Sequence, residues 1–191
     1  MIFLFKYLKS LLIINVFAFN LLFASNVTLA QNIPVPDDTL GNENSRVESL
    51  GGIDAITGGA GRGLNLFHSF REFNVGAGRG VYFFAPSAEI QNILARVTGG
   101  NRSEILGILG TRVFDGSTTN ANLFLINPNR ILFGENASLD VGGSFVATTA
   151  NAVQFGEQGV FSATNPEVPQ LLRVNPSVFL FNTKWKKECD R

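Results

Sequence analysis

The chain has 191 residues, enough for one domain with a short flanking segment. Apolar residues make up 45% of it and Phe alone occurs 18 times, so a sizeable core is available; 20 Gly suit a turn-rich all-β protein. Formal charge is zero, and about −2 (13 bases, 15 acids) once residues 1–30 are set aside, which gives no electrostatic case for nucleic acid, while a single Cys excludes an internal disulfide and a Cys-based zinc site.

Residues 1–30 have the pattern of a secretory signal. Lys6 and Lys9 supply positive charge and residues 11–24 are apolar apart from Asn15 and Asn20. Thr28 and Ala30 are small residues at −3 and −1 for cleavage before Gln31. An uncleaved anchor is the alternative, against which the uninterrupted apolar run falls short of the roughly 20 residues a span needs. Residues 31–57 are mixed, with Pro34, Pro36 and few strand signals. They are expected to cap the open end of the sheet structure after them, since bare strand edges invite association.

Residues 58–63 and 76–80 are glycine-rich. A phosphate cradle would need a strand before and a helix after. The first of these segments leads instead into the strand-like run 64–75, so both read as turns. His68, the single histidine, lies in that run with no Ser, Cys or Asp arranged around it in sequence, and is expected to be a packed or surface side chain. Residues 81–84, 90–97 and 105–109 are further strand candidates, with turns at 85–89 and 99–102 and a polar loop at 115–120. The arginines at positions 62, 71, 79, 96, 102 and 112 could meet an acidic partner, but the default for scattered arginines is solvation.

The stretch 122–164 repeats itself. Moved by 22 residues, 122–142 lies over 144–164, so that Leu123 falls on Phe145, Leu125 on Ala147, Ile131 on Val153, Phe133 on Phe155 and Leu139 on Phe161. Asn129, Phe133, Gly134 and Glu135 fall on identical residues at 151 and 155–157. The apolar residues come as i, i+2 pairs, three pairs per lap, without the i, i+3, i+4 spacing of a helix. A fixed period of this length with three short strands per lap predicts a β-helix, laps pairing at about 4.8 Å. Stacking would bring Glu135 and Glu157 about 5 Å apart, near the separation in retaining glycosidases. Both sit in glycine-containing turns where carboxylates splay into water, so neither a catalytic pair nor a calcium site is expected. No cofactor is expected either. Residues 163–170, with Pro166 and Pro169, break the ladder, and 174–181 returns to strand. Residues 183–191 hold the single Trp, the single Cys and three lysines, whereas every base from 31 to 182 is arginine, so this tail reads as foreign to the domain.

The run from Asn122 through Asn127-Pro128-Asn129-Arg130-Ile131 to Gly134, followed by Leu139 to Phe145, resembles the filamentous haemagglutinin amino-terminal domain, the secretion domain of two-partner (type Vb) secretion exoproteins. Residues 66–75 and 92–100 resemble the form in cyanobacterial members. The likeness spans roughly 33–182. It implies an all-β fold, a right-handed parallel β-helix with an amino-terminal β cap, with domain boundaries at 31 and 182. It also implies export through the periplasm to the cell surface or medium, by way of the Sec machinery and an outer-membrane transporter whose POTRA domains engage the domain. Asn122, Asn127, Pro128, Asn129 and Ile131 are the motif residues carried over. Arg130 departs from the glycine usual in the motif, and Ala85 from the asparagine of an earlier Asn-Pro turn. The chain also stops where a long passenger would begin, as a truncated member would. The competing classes are a free-standing adhesin, for which cell-surface glycans are the natural partner, and a polysaccharide-active β-helix enzyme.

Overall fold

Short runs of β-branched, leucine and phenylalanine residues with alternate residues facing one side recur along the chain, and most of them lie in strands. The structure, a computed structural model, describes residues 32–181. The segments read as signal and tail, 1–30 and 183–191, lie outside the described residues. Among the described residues the protein is all-β, with a single 3-10 turn at Gly41–Glu43.

Three coils wind through three sheets. The first sheet stacks β5 (Asn65–Glu72), β7 (Asn92–Val97), β10 (Asn122–Ile126) and β13 (Phe145–Thr148) in parallel. The second stacks β3 (Ile53–Gly58), β6 (Gly80–Ala85), β9 (Ile108–Val113) and β12 (Ser138–Asp140). The third pairs β8 (Ser103–Ile105) with β11 (Ile131–Phe133), and Val75 bridges onto Ile105. This is the parallel β-helix expected from the sequence. Its first end is covered by antiparallel additions: β1 (Val35–Pro36) on β5 and β2 (Ser45–Leu50) on β3. Within the stretch read as a cap, β3 is already a strand of the first coil.

The lap length differs from the sequence expectation. Leu66 pairs with Ile93, Ile93 with Leu123 and Leu123 with Phe145, steps of 27, 30 and 22 residues. Only the last step has the 22-residue phase. After β13 the chain leaves the helix. β14 (Ala152–Gln154) does not stack on β11; it pairs antiparallel with β15 (Val160–Ser162) and β16 (Val178–Leu180). Ile131 therefore faces the interior of the coils while Val153 lies in a separate apolar cluster, and Phe133–Phe155 and Leu139–Phe161 are likewise unstacked. The expected juxtaposition of Glu135 and Glu157 falls with them. The run 105–109 is also not one strand. It turns the corner between β8 and β9 at Gly107, where a Cβ would stand 2.2 Å from the Arg79 carbonyl oxygen.

Both faces of the first sheet are buried along β7 and along β5 from Asn65 to Phe70, polar residues included. Leu66, Phe70, Ile93, Leu123 and Leu125 point inward. There Phe70, Phe73 and Phe83 pack with ring centroids 5.1 to 6.1 Å apart. Each buried ring contributes about 2–3 kcal/mol. The alternate residues Phe67, Leu94 and Ile126 point outward and are covered by Phe155, Phe161, Ala163 and Leu172 of the chain's last segment, with Leu40 from the cap. We call this last segment, residues 150–181, the strap. At the other end of the coils β11, β12 and β13 have no further lap upon them among the described residues, and Phe133 (41% exposed) and Leu139 (48%) remain open beside the core.

Candidate functional site

The Asn-Pro-Asn turn leads from β10 to β11 on the last coil. Asn127 is fully buried and organises the turn. Its Oδ1 accepts the Asn129 N–H at 2.9 Å, and its Nδ2 donates to the Asn101 carbonyl (3.1 Å) and Ser103 Oγ (2.9 Å) on the preceding coil. Proline at the next position presets its own φ and the turn closes with Arg130 N–H on the Asn127 carbonyl at 3.2 Å. Asn129 Nδ2 reaches back to the Gly99 carbonyl at 2.7 Å. Arg130 has φ 116°, the one non-glycine residue at positive φ among the described residues. Its place at the end of the turn is where glycine is favoured, which is the physical content of the departure noted in the sequence.

Of the five motif residues, the structure brings Asn127, Pro128, Asn129 and Ile131 together and sets Asn122 apart, at the far end of β10. Ile131 opens β11 opposite Ser103 and packs on the inner core. Asn122 belongs to a ladder: its Nδ2 donates to Asn92 Oδ1 (3.0 Å), and Asn92 Nδ2 donates to Asn65 Oδ1 (2.8 Å). Asn122 Oδ1 accepts the Ser144 N–H of the next coil at 2.9 Å, so the residue fixes register between laps. The turn stands between two open clefts. One, about 290 Å³, lies between the loop at Gly99 and Gly100, the turn itself and Pro166 of the strap. The other, about 310 Å³, runs from Arg130 and Phe133 to Thr149.

Of the six arginines Arg71 is exposed, as expected, but the others have partners. Arg62 pairs with Glu43, Arg79 with Asp54, Arg102 with Glu104 and Arg112 with Asp140. Arg96 is fully buried. It donates to Ser69 Oγ (2.8 Å), Thr39 Oγ1 (2.9 Å) and the carbonyls of Ser162 and Glu167 (3.0 Å each), with its guanidinium 4.4 Å from the Phe161 ring centroid. Burial pulls its pKa down to about 10, opposed by Asp37 and Glu167, so it remains a cation at neutral pH. Burial pushes the Asp37 carboxyl up, but hydrogen bonds from Thr39, Thr98 and Ser69 outweigh it and hold the group below its usual range. The signal available in sequence was a lone charge among Ile93, Leu94, Ala95 and Val97. A cation there must have buried partners, yet those partners lie at distant positions.

His68 is packed inside the coils, its Nδ1 3.0 Å from Ser45 Oγ and its ring 5.1 Å from that of Phe83. Ser45 supplies the partner that the local sequence lacked. His68 Nε2 has no hydrogen-bond partner, and burial lowers its pKa to about 3. Such an imidazole faces no substrate. Among the described residues no three His, Cys, Asp or Glu side chains gather as a metal would require.

The arrangement is therefore a rigid, exposed turn on a stack of coils, suited to recognition. The family model described as TPS secretion domain matches residues 33–186, most of the chain. The chain belongs to the TPS (two-partner secretion) domain family. A relative, the heme/hemopexin-binding protein of Haemophilus influenzae, is 36% identical over 92 residues. That match covers 47% of this chain and 9% of the relative, so the chain spans a small fraction of that relative's length. The TPS match places the chain with two-partner secretion exoproteins.

Proposed function

We propose that this TPS domain is a recognition element. A cognate outer-membrane β-barrel transporter engages it through periplasmic POTRA domains and exports the polypeptide to the cell surface or medium. Residues 1–30 would first direct it through the Sec machinery. The observation that carries this reading is the turn: Asn127 is locked by three side-chain hydrogen bonds, while Asn129 and Arg130 are presented to solvent between two clefts. A loop fixed before binding loses little entropy on docking. The uncovered last coil supports the second half of the role. Its unpaired edges offer a template on which a following β-helical passenger can add laps. The domain then acts by binding, not by bond breaking.

The relative's name records heme or hemopexin binding for that protein. We do not extend haem ligation to this domain, because haem iron takes an accessible axial ligand such as imidazole and His68 is sealed inside the coils.

The test is to fuse residues 1–181 to a reporter passenger and co-express it with a cognate POTRA-bearing outer-membrane transporter. Reporter should reach the medium only when that transporter is present, and purified domain should bind the isolated POTRA domains. Equal export without the transporter, or export unaffected by Asn127→Ala and Asn129→Ala together, would refute the reading.

A further inference from the structure

Two arginines tie the start of the described chain to its end. Arg96 stands on the outward face of β7 and donates both to Thr39 of the cap and to the Ser162 and Glu167 carbonyls of the strap. Arg62, on β4 (Ala60–Arg62), grips the Glu43 carboxylate of the cap at 2.7 and 2.9 Å and the Pro169 carbonyl of the strap at 2.7 Å. Leu40 of the cap is buried in the same cluster as Phe161 and Leu172 of the strap. The first part of the cap has little regular structure of its own: β1 has two residues and the 3-10 turn three, whereas β2 beyond them pairs along its whole length with β3.

We propose that cap and strap close as one cooperative unit, clasped by Arg96 and Arg62, so that residues 37–43 become ordered only once residues 162–172 have docked.

The physical reason lies in the buried guanidinium. Among the described residues no carboxylate bonds to Arg96 directly; its charge is offset by Asp37 of the cap, which Thr39, Ser69 and Thr98 hold in place, and by Glu167 of the strap. With the strap away, Arg96 loses two carbonyl acceptors and the Phe161 ring. A cation left unpaired in an apolar site is unfavourable, so the side chain turns to water and gives up Thr39 as it goes. With the cap away, Asp37 is gone and the same charge resists burial beneath the strap. Neither half closes well alone. The strap is moreover recognised largely by its main chain: Asn65 Nδ2 also donates to the Leu172 and Val174 carbonyls, both at 2.8 Å. If the chain is exported as proposed above, the cap enters the periplasm first yet closes last, leaving it extended until the end of the domain arrives. The clasp does not depend on that export reading.

Hydrogen exchange on the full chain tests the proposal. The probes are the Thr39 and Leu40 amides in the cap, bonded to Asp37 Oδ1 and Asn44 Oδ1, and the Ala163 and Asn165 amides in the strap, bonded to the Asn151 carbonyl and Ser162 Oγ. The Asn122 amide on the Gln91 carbonyl is the reference. Cap and strap should share one opening equilibrium. Phe161→Ala should speed exchange at Thr39 as well as Ala163 by about tenfold, with Asn122 unmoved, and Thr39→Val should do the reverse. In an Arg96→Met, Arg62→Met background, Phe161→Ala should move the strap alone. Cap protection unchanged by Phe161→Ala overturns the proposal, as does coupling that survives loss of both arginines. If the double methionine variant does not fold, Thr39→Val and Phe161→Ala combined decide the matter: their effects should fall short of additive, and strict additivity refutes the clasp.

Discussion

Replacing Arg130 by glycine should stabilise the domain. The residue is held at φ 116° by its own backbone: its N–H bonds the Asn127 carbonyl at 3.2 Å and its carbonyl accepts the Ser103 N–H at 2.9 Å. The strain cannot relax without breaking the turn or the β8–β11 pairing. A side chain in left-handed backbone costs about 1–2 kcal/mol, and glycine returns roughly 0.5–1 kcal/mol of that through its freer unfolded chain. The arginine side chain is exposed and makes no ion pair among the described residues, so its loss is worth no more than about 0.5 kcal/mol either way. The net expectation is a gain of about 1 kcal/mol, or some 2–4 °C in Tm for a chain of this size. Urea titration of wild type, Arg130→Gly and Arg130→Ala measures it. Alanine removes the same side chain but keeps the Cβ, so it should stay within about 0.5 kcal/mol of wild type at an unchanged m-value. Glycine and alanine variants of equal stability would refute the strain argument.

Further perturbations probe the interior. His68 has a folded pKa lowered to about 3 against 6.5 unfolded, so the unfolded state takes the proton first. Its contribution is complete above pH 6.5 and lost as pH falls towards 3; by pH 5 about 2 kcal/mol should be gone. His68→Leu should flatten that slope between pH 6.5 and 5, and an unchanged slope would assign the loss to other groups. Asn127→Ala removes three hydrogen bonds in a buried site and should cost about 2–3 kcal/mol in thermal or urea unfolding. Gly107→Ala drives a Cβ to 2.2 Å from the Arg79 carbonyl and 2.5 Å from that of Gly76, both main-chain atoms, and should cost about 1–3 kcal/mol.

The strands were legible because alternation is local; their partners were not. Val153, Phe155 and Phe161 occupy the same places in the 22-residue repeat as Ile131, Phe133 and Leu139, and each triplet does form strands and turns as its neighbours dictate. What separates the two sets is a face that no window of sequence displays. Phe67 and Leu94 point out of the first sheet, and Phe155 and Phe161 cover Phe67 at 5.4 and 4.8 Å. A fourth lap would have continued the ladder but left those residues and Arg96 in water. Folding the strap outward instead buries that apolar face and supplies the guanidinium with two carbonyls. The burial of Arg96 is hidden from sequence for the same reason: charge suggests solvent, and only the strap turns the position into an interior one. The Asn-Pro-Asn turn was legible because its hydrogen bonds close within four residues and onto the coil beneath, while Arg130, at φ 116°, stood out only against the glycine of the motif it resembles. Local chemistry thus determined the Asn-Pro-Asn turn, and the outward face of one sheet determined where the repeat stopped being a helix.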